Sequence, residues 1–189
     1  LKINKKILSL KKQNYLFNSE ILNRIIKRKK FYKFDGLALD SRDIKKDNLF
    51  IAIKGKNNDG NKFIPRAISK GASYVVSSKN NKKNKRKTIK VDDPISFLNK
   101  FAQLKRKNCY AKILAITGSA GKTSLKNMLN ILLKSYGFTY ASPRSFNNHY
   151  GVPISLSNLS SYHQYGVFEV GMSKTGEINK LSKMIKPSL

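Results

Sequence analysis

Apolar and polar positions along this chain alternate between two periods. Leu16, Phe17, Ile21, Leu22, Ile25 and Ile26 recur at helical spacing, which predicts an amphipathic helix inside a basic lead, residues 1–33. From Phe34 the texture changes. Leu49–Lys54 reads as a strand after the turn Lys46-Asp47-Asn48, and Asn58-Asp59-Gly60 as a turn. Phe63–Lys70 reads as a short helix closed by Gly71. Ala72–Ser78 and Thr88–Val91 read as strands, and a helix with Pro in its first turn runs from Asp93-Pro94 to about Lys107. The polar stretch Lys105–Asn108 marks an expected boundary between a domain over 1–107 and a second over 108–189. Beyond it come a strand at Ile113–Ile116, a turn of small residues and a helix at Ser124–Leu133. A short strand (Phe138–Ala141), a helix from about Val152, a buried strand (Gly166–Val170) and a helix (Gly176–Ile185) stopped by Pro187 follow. Strands alternating with helices predict βαβ units. The expected class is therefore α/β: a small N-terminal α/β domain, then a second domain with a mostly parallel sheet.

Composition narrows the picture. The 189 residues are 40% hydrophobic, enough for a real core, and no apolar run approaches the ~20 residues of a membrane span. The basic N-terminus (Lys2, Lys5, Lys6, Lys11, Lys12) is followed only by Ile7-Leu8-Ser9-Leu10, too short for a signal peptide, so no export is expected. A single cysteine, Cys109, cannot form an internal disulfide and fits a reducing, cytoplasmic compartment. The net charge of +29 admits a nucleic-acid or acidic-membrane partner. It also suits a Lys-, Asn- and Ile-rich composition with no Trp. The densest run, Lys79–Lys87, lacks interleaved aromatics and reads as a solvated loop, so no nucleic-acid partner is expected. A basic field also favours an anionic substrate.

The chemistry concentrates in Ile113–Ser124, ILAITGSAGKTS. An apolar strand enters a tight turn that ends in Gly121-Lys122-Thr123 and opens a helix. That layout is a phosphate-binding loop, which makes the second domain P-loop-type. Backbone N–H groups can converge on an anion, and the positive end of the helix dipole adds to the field. Gly118, Ser119, Ala120, Gly121, Lys122, Thr123 and Ser124 are the candidate ATP-binding residues, with Lys122 also the candidate catalytic one. The spacing departs from G-x-x-x-x-G-K-[ST], since Ile116 stands where that pattern has its first Gly.

Three more segments occur in fixed order with this loop. The first is Asp40-Ser41-Arg42, then Asn48-Leu49-Phe50-Ile51-Ala52, Gly55, Asp59-Gly60, Phe63-Ile64, Ala67 and Gly71-Ala72. The second is Phe146-Asn147-Asn148-His149-Tyr150-Gly151-Val152-Pro153, and the third Glu169-Val170-Gly171-Met172 with Gly176-Glu177-Ile178. Together they closely resemble the Mur ligases of peptidoglycan synthesis, over about Leu39 to Pro187. Within the family, the Asn-Asn-x-x-Gly-Val-Pro segment points to the branch that adds D-alanyl-D-alanine.

The resemblance implies an ATP-dependent amide-bond ligase. A peptide carboxylate of UDP-N-acetylmuramoyl tripeptide would be activated as an acyl phosphate and attacked by the amine of D-alanyl-D-alanine, releasing ADP and phosphate. Polyanionic reactants of this kind are managed by positioning and electrostatics. By resemblance, Lys122 contacts the β- and γ-phosphates, Thr123 and Glu169 ligate Mg²⁺, and Ser41, Arg42, Asn147 and Asn148 contact substrate. Simpler roles remain open: a turn with a surface Arg at Ser41-Arg42, a helix cap or turn at Asn147-Asn148, and a pairing of Glu169 with one of the many lysines. Asp59-Gly60 reads as structural, Glu177 as a helix-start carboxylate and His149 as a tolerated variant, and His163 carries no assignment. Asn48, Asn61 and the stretch Met172-Ser173-Lys174-Thr175 depart from the family's usual residues. The resemblance further implies a three-domain enzyme of which this chain holds the first domain and the opening of the second, and a monomer is expected. An N-terminal fragment, inactive alone, is therefore the expectation. A sister ligase of the family or a basic nucleic-acid-binding NTPase are the alternatives.

Overall fold

The computed structural model describes residues 2–55, 58–172 and 175–189, with side chains from Leu8 onward. Two compact units divide the chain, Leu1–Phe101 and Ala102–Leu189.

The first unit begins with α1 (Lys2–Ile26). Its inward face buries Ile21 and Leu22 but also Asn14 and Asn18. The asparagines are satisfied: Asn18 Nδ2 donates to the carbonyls of Phe34 and Asp35 (3.1 and 2.7 Å), and Asn14 Nδ2 to Asp35 Oδ1 (2.7 Å). Four short strands, β1 (Leu37–Ala38), β2 (Leu49–Ile51), β3 (Tyr74–Ser77) and β4 (Thr88–Lys90), form an all-parallel sheet in chain order. Such a sheet needs a crossover between each pair of strands. One of them carries a 3₁₀ turn (Gly60–Phe63) and α2 (Ile64–Ser69), whose Ile64 and Ala67 pack with Phe50, Ala52, Ala72 and Val75. Gly71 closes α2 at φ +105, as expected from the sequence. β1 is the element the sequence reading lacks. Two residues are too few to show a period.

Helix α3 (Pro94–Lys107) starts where Asp93 and Pro94 predict. The Asp93 carboxylate accepts from the N–H groups of Ile95 and Ser96 (3.0 Å each), and hydrogen bonds from Ser96 and these amides hold it below its ordinary pKa. The division between the units falls inside α3, before the polar stretch that marks the boundary in the sequence. The reason lies in its last turn. Lys105 is buried, and the Arg106 guanidinium donates to the carbonyls of Ile185 (2.6 Å), Lys186 (2.7 Å) and Cys109 (3.0 Å). The Arg106 side chain thus binds backbone of the second unit.

The second unit holds β5 (Lys112–Ile116), α4 (Lys122–Lys134), β6 (Thr139–Ala141), α5 (Gly151–Ser157), β7 (Tyr165–Glu169) and α6 (Glu177–Ile185). The sheet order is β5-β7-β6, all parallel, with β7 central. Ile113 and Phe168 pack with Val152 and Leu156 of α5 and Leu181 and Ile185 of α6. Successive strand residues point to opposite faces, so Val167 and Glu169 turn to the other face, which α4 covers. The register pairs Ile116 with Glu169, placing both strand ends beside the turn that leads into α4. Ligands of open α/β sheets bind at this carboxyl edge. No helix among the described residues is long and apolar enough to cross a membrane.

Candidate functional site

The turn after β5 is built to leave its backbone open. Gly118 sits at φ +146 and Gly121 at φ +75, conformations that L side chains rarely adopt. Gly121 is the N-cap of α4 and supplies no side chain to the first-turn N–H groups, and a Cβ there would meet nothing within 4 Å. Those N–H groups at the positive end of the helix have space before them that suits an anion. Ser119, Ala120, Thr123 and Ser124 are exposed along the same turn. Lys122 Nζ folds back onto the carbonyls of Gly118 (2.6 Å) and Ser119 (3.4 Å).

Glu169 ends the central strand and is 1% exposed. A buried carboxylate must be hydrogen-bonded. Its Oε1 accepts from Asn147 Nδ2 (2.8 Å), and its Oε2 accepts from Thr123 Oγ1 (2.9 Å) and Lys126 Nζ (3.4 Å). Burial pushes the Glu169 carboxyl up, but donation from Asn147, Thr123 and Lys126 outweighs it and holds the group below its ordinary value. Glu169 therefore stays an anion. The simpler reading, a partnership with lysine, and the hydroxyl–carboxylate pairing with Thr123 both hold at once.

Oxygen donors suit Mg²⁺, a hard cation that keeps several waters and takes one or two protein ligands beside phosphate. Thr123 spends its one proton on Glu169, so its oxygen lone pairs stay available. Among the described residues no group of three His, Cys, Asp or Glu converges. A cation here would rest on Glu169, Thr123, water and phosphate oxygens, and the residues present fit it on those terms.

The two asparagines separate. Asn147 reaches Glu169, whereas Asn148 Oδ1 accepts from the N–H groups of Tyr150 (3.0 Å) and Gly151 (2.9 Å) and caps the start of α5. Gly171 allows the Asn147 placement. Its N–H donates to the Asn147 carbonyl (2.8 Å), and a Cβ on it would lie 2.9 Å from Asn147 Cγ. Gly171→Ala is expected to push the amide off Glu169 and to cost about 1 kcal/mol of stability. It should also weaken cation-dependent nucleotide binding, and calorimetric titration beside thermal unfolding checks both effects.

In the first unit, Ser41 is buried, while the exposed Arg42 forks onto Asp40, with Nη2–Oδ2 at 2.6 Å. The Arg42 carbonyl accepts from Lys70 Nζ (2.9 Å). Asp59 caps the 3₁₀ turn through the Asn61 N–H (3.0 Å) and pairs with Lys79 (2.7 Å), in line with its structural reading. Of the residues that depart from the family's usual ones, Asn48 Oδ1 accepts from the Lys45 N–H (2.8 Å) and Asn61 Oδ1 from Ser77 Oγ (2.6 Å). Both serve local structure. Ser173 and Lys174 lie outside the described residues. His149 packs against Tyr150 with the rings tilted 47° and their centroids 4.1 Å apart. His163 Nδ1 accepts from the Ser160 N–H (2.9 Å), and burial, reinforced by the Lys105 ammonium, pushes its pKa down to about 4.

Lys126 is the site residue the sequence reading missed. It follows Thr123 by one helical turn, and that spacing is the signal that could have found it.

The catalytic domain of the Mur ligase family matches residues 33–106, and the Mur ligase middle domain matches residues 116–189. A curated UDP-N-acetylmuramoyl-tripeptide–D-alanyl-D-alanine ligase from Rickettsia prowazekii is 44% identical over 154 residues, 81% of this chain and 34% of the relative. The ligase of the same name from Bacillus subtilis is 31% identical, over 80% of this chain and 34% of its own length. The chain thus spans about a third of the length of the curated relatives it matches. Among solved structures, MurF from Acinetobacter baumannii superposes with a TM-score of 0.75 at 27% identity, covering 89% of this chain and 38% of that one. MurF ligase from Thermotoga maritima in complex with ADP gives 0.65 at 30%, covering 84% and 37%. With two domains of one family matched in order, one of them containing Lys122, Thr123 and Glu169, the chain belongs to the Mur ligase family.

Proposed function

We propose that this chain supplies the sugar-nucleotide-binding unit and the ATP-binding opening of the central unit of a ligase. That ligase joins D-alanyl-D-alanine to UDP-N-acetylmuramoyl tripeptide. One observation carries the reading: Thr123, Asn147 and Glu169 converge at the carboxyl edge of the central strand, beside an α4 N-terminus without a side-chain cap. The ADP in the Thermotoga relative, at 30% identity, supports nucleotide use here.

The residues divide the work. The N–H groups from Ser119 to Thr123 hold phosphate oxygens, and Lys122 exchanges its loop carbonyls for the β- and γ-phosphates. Thr123 and Glu169 would hold Mg²⁺, which would supply charge shielding for the phosphates. Asn147 keeps the Glu169 carboxylate in one rotamer. Ser41 and Arg42 serve the uridine diphosphate end, for which Arg42 first parts from Asp40. That exposed pair gives little to stability, so parting is easy. The single, buried Cys109 suits the cytoplasmic location expected of such an enzyme.

Phosphate release tests the reading, measured on the product of the entire open reading frame with Mg·ATP. Release that requires both the UDP-muramoyl tripeptide and D-alanyl-D-alanine is expected. Release that ignores either substrate, or that nucleic acid stimulates instead, would overturn it.

A further inference from the structure

Helix α4 buries a single side chain, and it is a lysine. Lys126 is 2% exposed in a chain whose other cations are mostly solvated. A lysine this deep is rare unless paired. Its ammonium holds two elements at once: Glu169 Oε2 at the end of β7 (3.4 Å) and the Arg144 carbonyl in the loop after β6. Arg144 is at φ 50, an uncommon backbone state for a residue with a side chain, and its carbonyl meets Lys126 from there. Three residues on, Asn147 reaches the other oxygen of the same carboxylate. Glu169 and Glu177 are the only acidic residues after Phe101, so Glu169 is a scarce anion in a strongly basic unit.

We propose that Lys126 is a positioning residue, the resident counter-ion of the Glu169 cation site. It holds the carboxylate and the Asn147 loop in their binding arrangement before a divalent cation arrives. The inference rests on the nucleotide-site reading above, which does not itself assign Lys126. Its physical content is charge balance. Removing one partner of a buried pair leaves the other uncompensated, which costs far more than the pair contributes. In the wild type, Glu169 already has a cation within 3.4 Å and gains little from another when no nucleotide is present. Without Lys126, the same carboxylate, still fixed by Thr123 and Asn147, becomes an anion in need of a cation.

The test is thermal unfolding of the full chain without nucleotide, in millimolar MgCl₂ against NaCl of equal ionic strength. Wild type and Lys126→Arg are expected to ignore Mg²⁺. Lys126→Met is expected to melt lower and to regain about 4–8 °C with Mg²⁺ alone. The double variant Lys126→Met/Glu169→Gln is expected to melt above the single variant and to lose the Mg²⁺ response. A Lys126→Met protein that melts low and treats Mg²⁺ like NaCl would overturn the proposal and leave Lys126 a plain structural pair. If Lys126→Met fails to fold, the double variant decides: recovery of the fold supports the counter-ion role, and failure of both overturns it. Binding of a fluorescent ADP analogue to wild type, with and without Mg²⁺, is read separately. Loss there sinks the nucleotide reading, while the Mg²⁺ response of Lys126→Met still reports on the carboxylate.

Discussion

Lys122→Ala is expected to weaken Mg²⁺-dependent nucleotide binding about 100-fold and, in the product of the entire reading frame, to lower phosphate release by about 10²–10³. The argument starts from what Lys122 does in the free protein. Its ammonium holds carbonyls of its own loop, Gly118 and Ser119, and no carboxylate. The fold therefore loses little when it goes, about 0.5 kcal/mol or less, as for other partly exposed positions. The binding partner loses far more, because a polyphosphate set against backbone N–H groups alone has lost its one mobile point charge. Thermal unfolding and titration with a fluorescent ADP analogue separate the two effects. Unchanged affinity in a folded Lys122→Ala protein would remove the loop from the nucleotide site. Glu169→Gln makes a useful contrast. It keeps the shape of the side chain but leaves the buried Lys126 without its anion, so it should lower both binding and stability.

That contrast separates what the sequence could disclose from what needed coordinates. The geometry of the candidate phosphate loop was legible because its parts are local: an apolar strand, two glycines at positive φ and a helix start lie within twelve consecutive residues. Glu169 was legible because a carboxylate inside an apolar run must have a reason. Lys126 was not, because hydrophobic periodicity assigns a helical lysine to solvent, and α4 inverts that pattern. It buries Lys126 and leaves Met128, Ile131 and Leu132 exposed. The sequence also could not choose between capping and contact for Asn147 and Asn148. The structure divides them, Asn148 to the α5 cap and Asn147 to Glu169, because only the second lies next to Gly171. The boundary moved for a related reason. Arg106 looks like a linker residue until its partners Ile185 and Lys186, 79 and 80 positions away in the chain, are visible.

His163, to which the sequence assigns nothing, is expected to make the second unit acid-sensitive. Its imidazole lies among Tyr140 and Tyr162 (ring centroids 5.6 and 4.7 Å away), accepts the Ser160 N–H at Nδ1, and shares its surroundings with the buried Lys105. Burial and then the Lys105 charge disfavour the imidazolium, so its pKa is about 4 in the folded protein against about 6.5 when unfolded. Between those values the unfolded state binds the extra proton, so stability rises with pH across that window. The contribution is complete above pH 6.5, declines as pH falls, and is gone near pH 4. It amounts to about 3 kcal/mol from the shift. His163→Asn keeps an acceptor for the Ser160 N–H and has nothing to protonate. Asp93 and Glu169 are also held below their ordinary values, so acid lowers stability through them as well. The decisive quantity is therefore the difference between the two proteins: urea unfolding from pH 7 to pH 4 should destabilise the wild type by about 3 kcal/mol more than His163→Asn. Parallel pH profiles would mean that the imidazole takes up its proton as readily in the folded protein as in the unfolded one. In that case neither the burial of the ring nor the Ser160 N–H at Nδ1 holds it neutral.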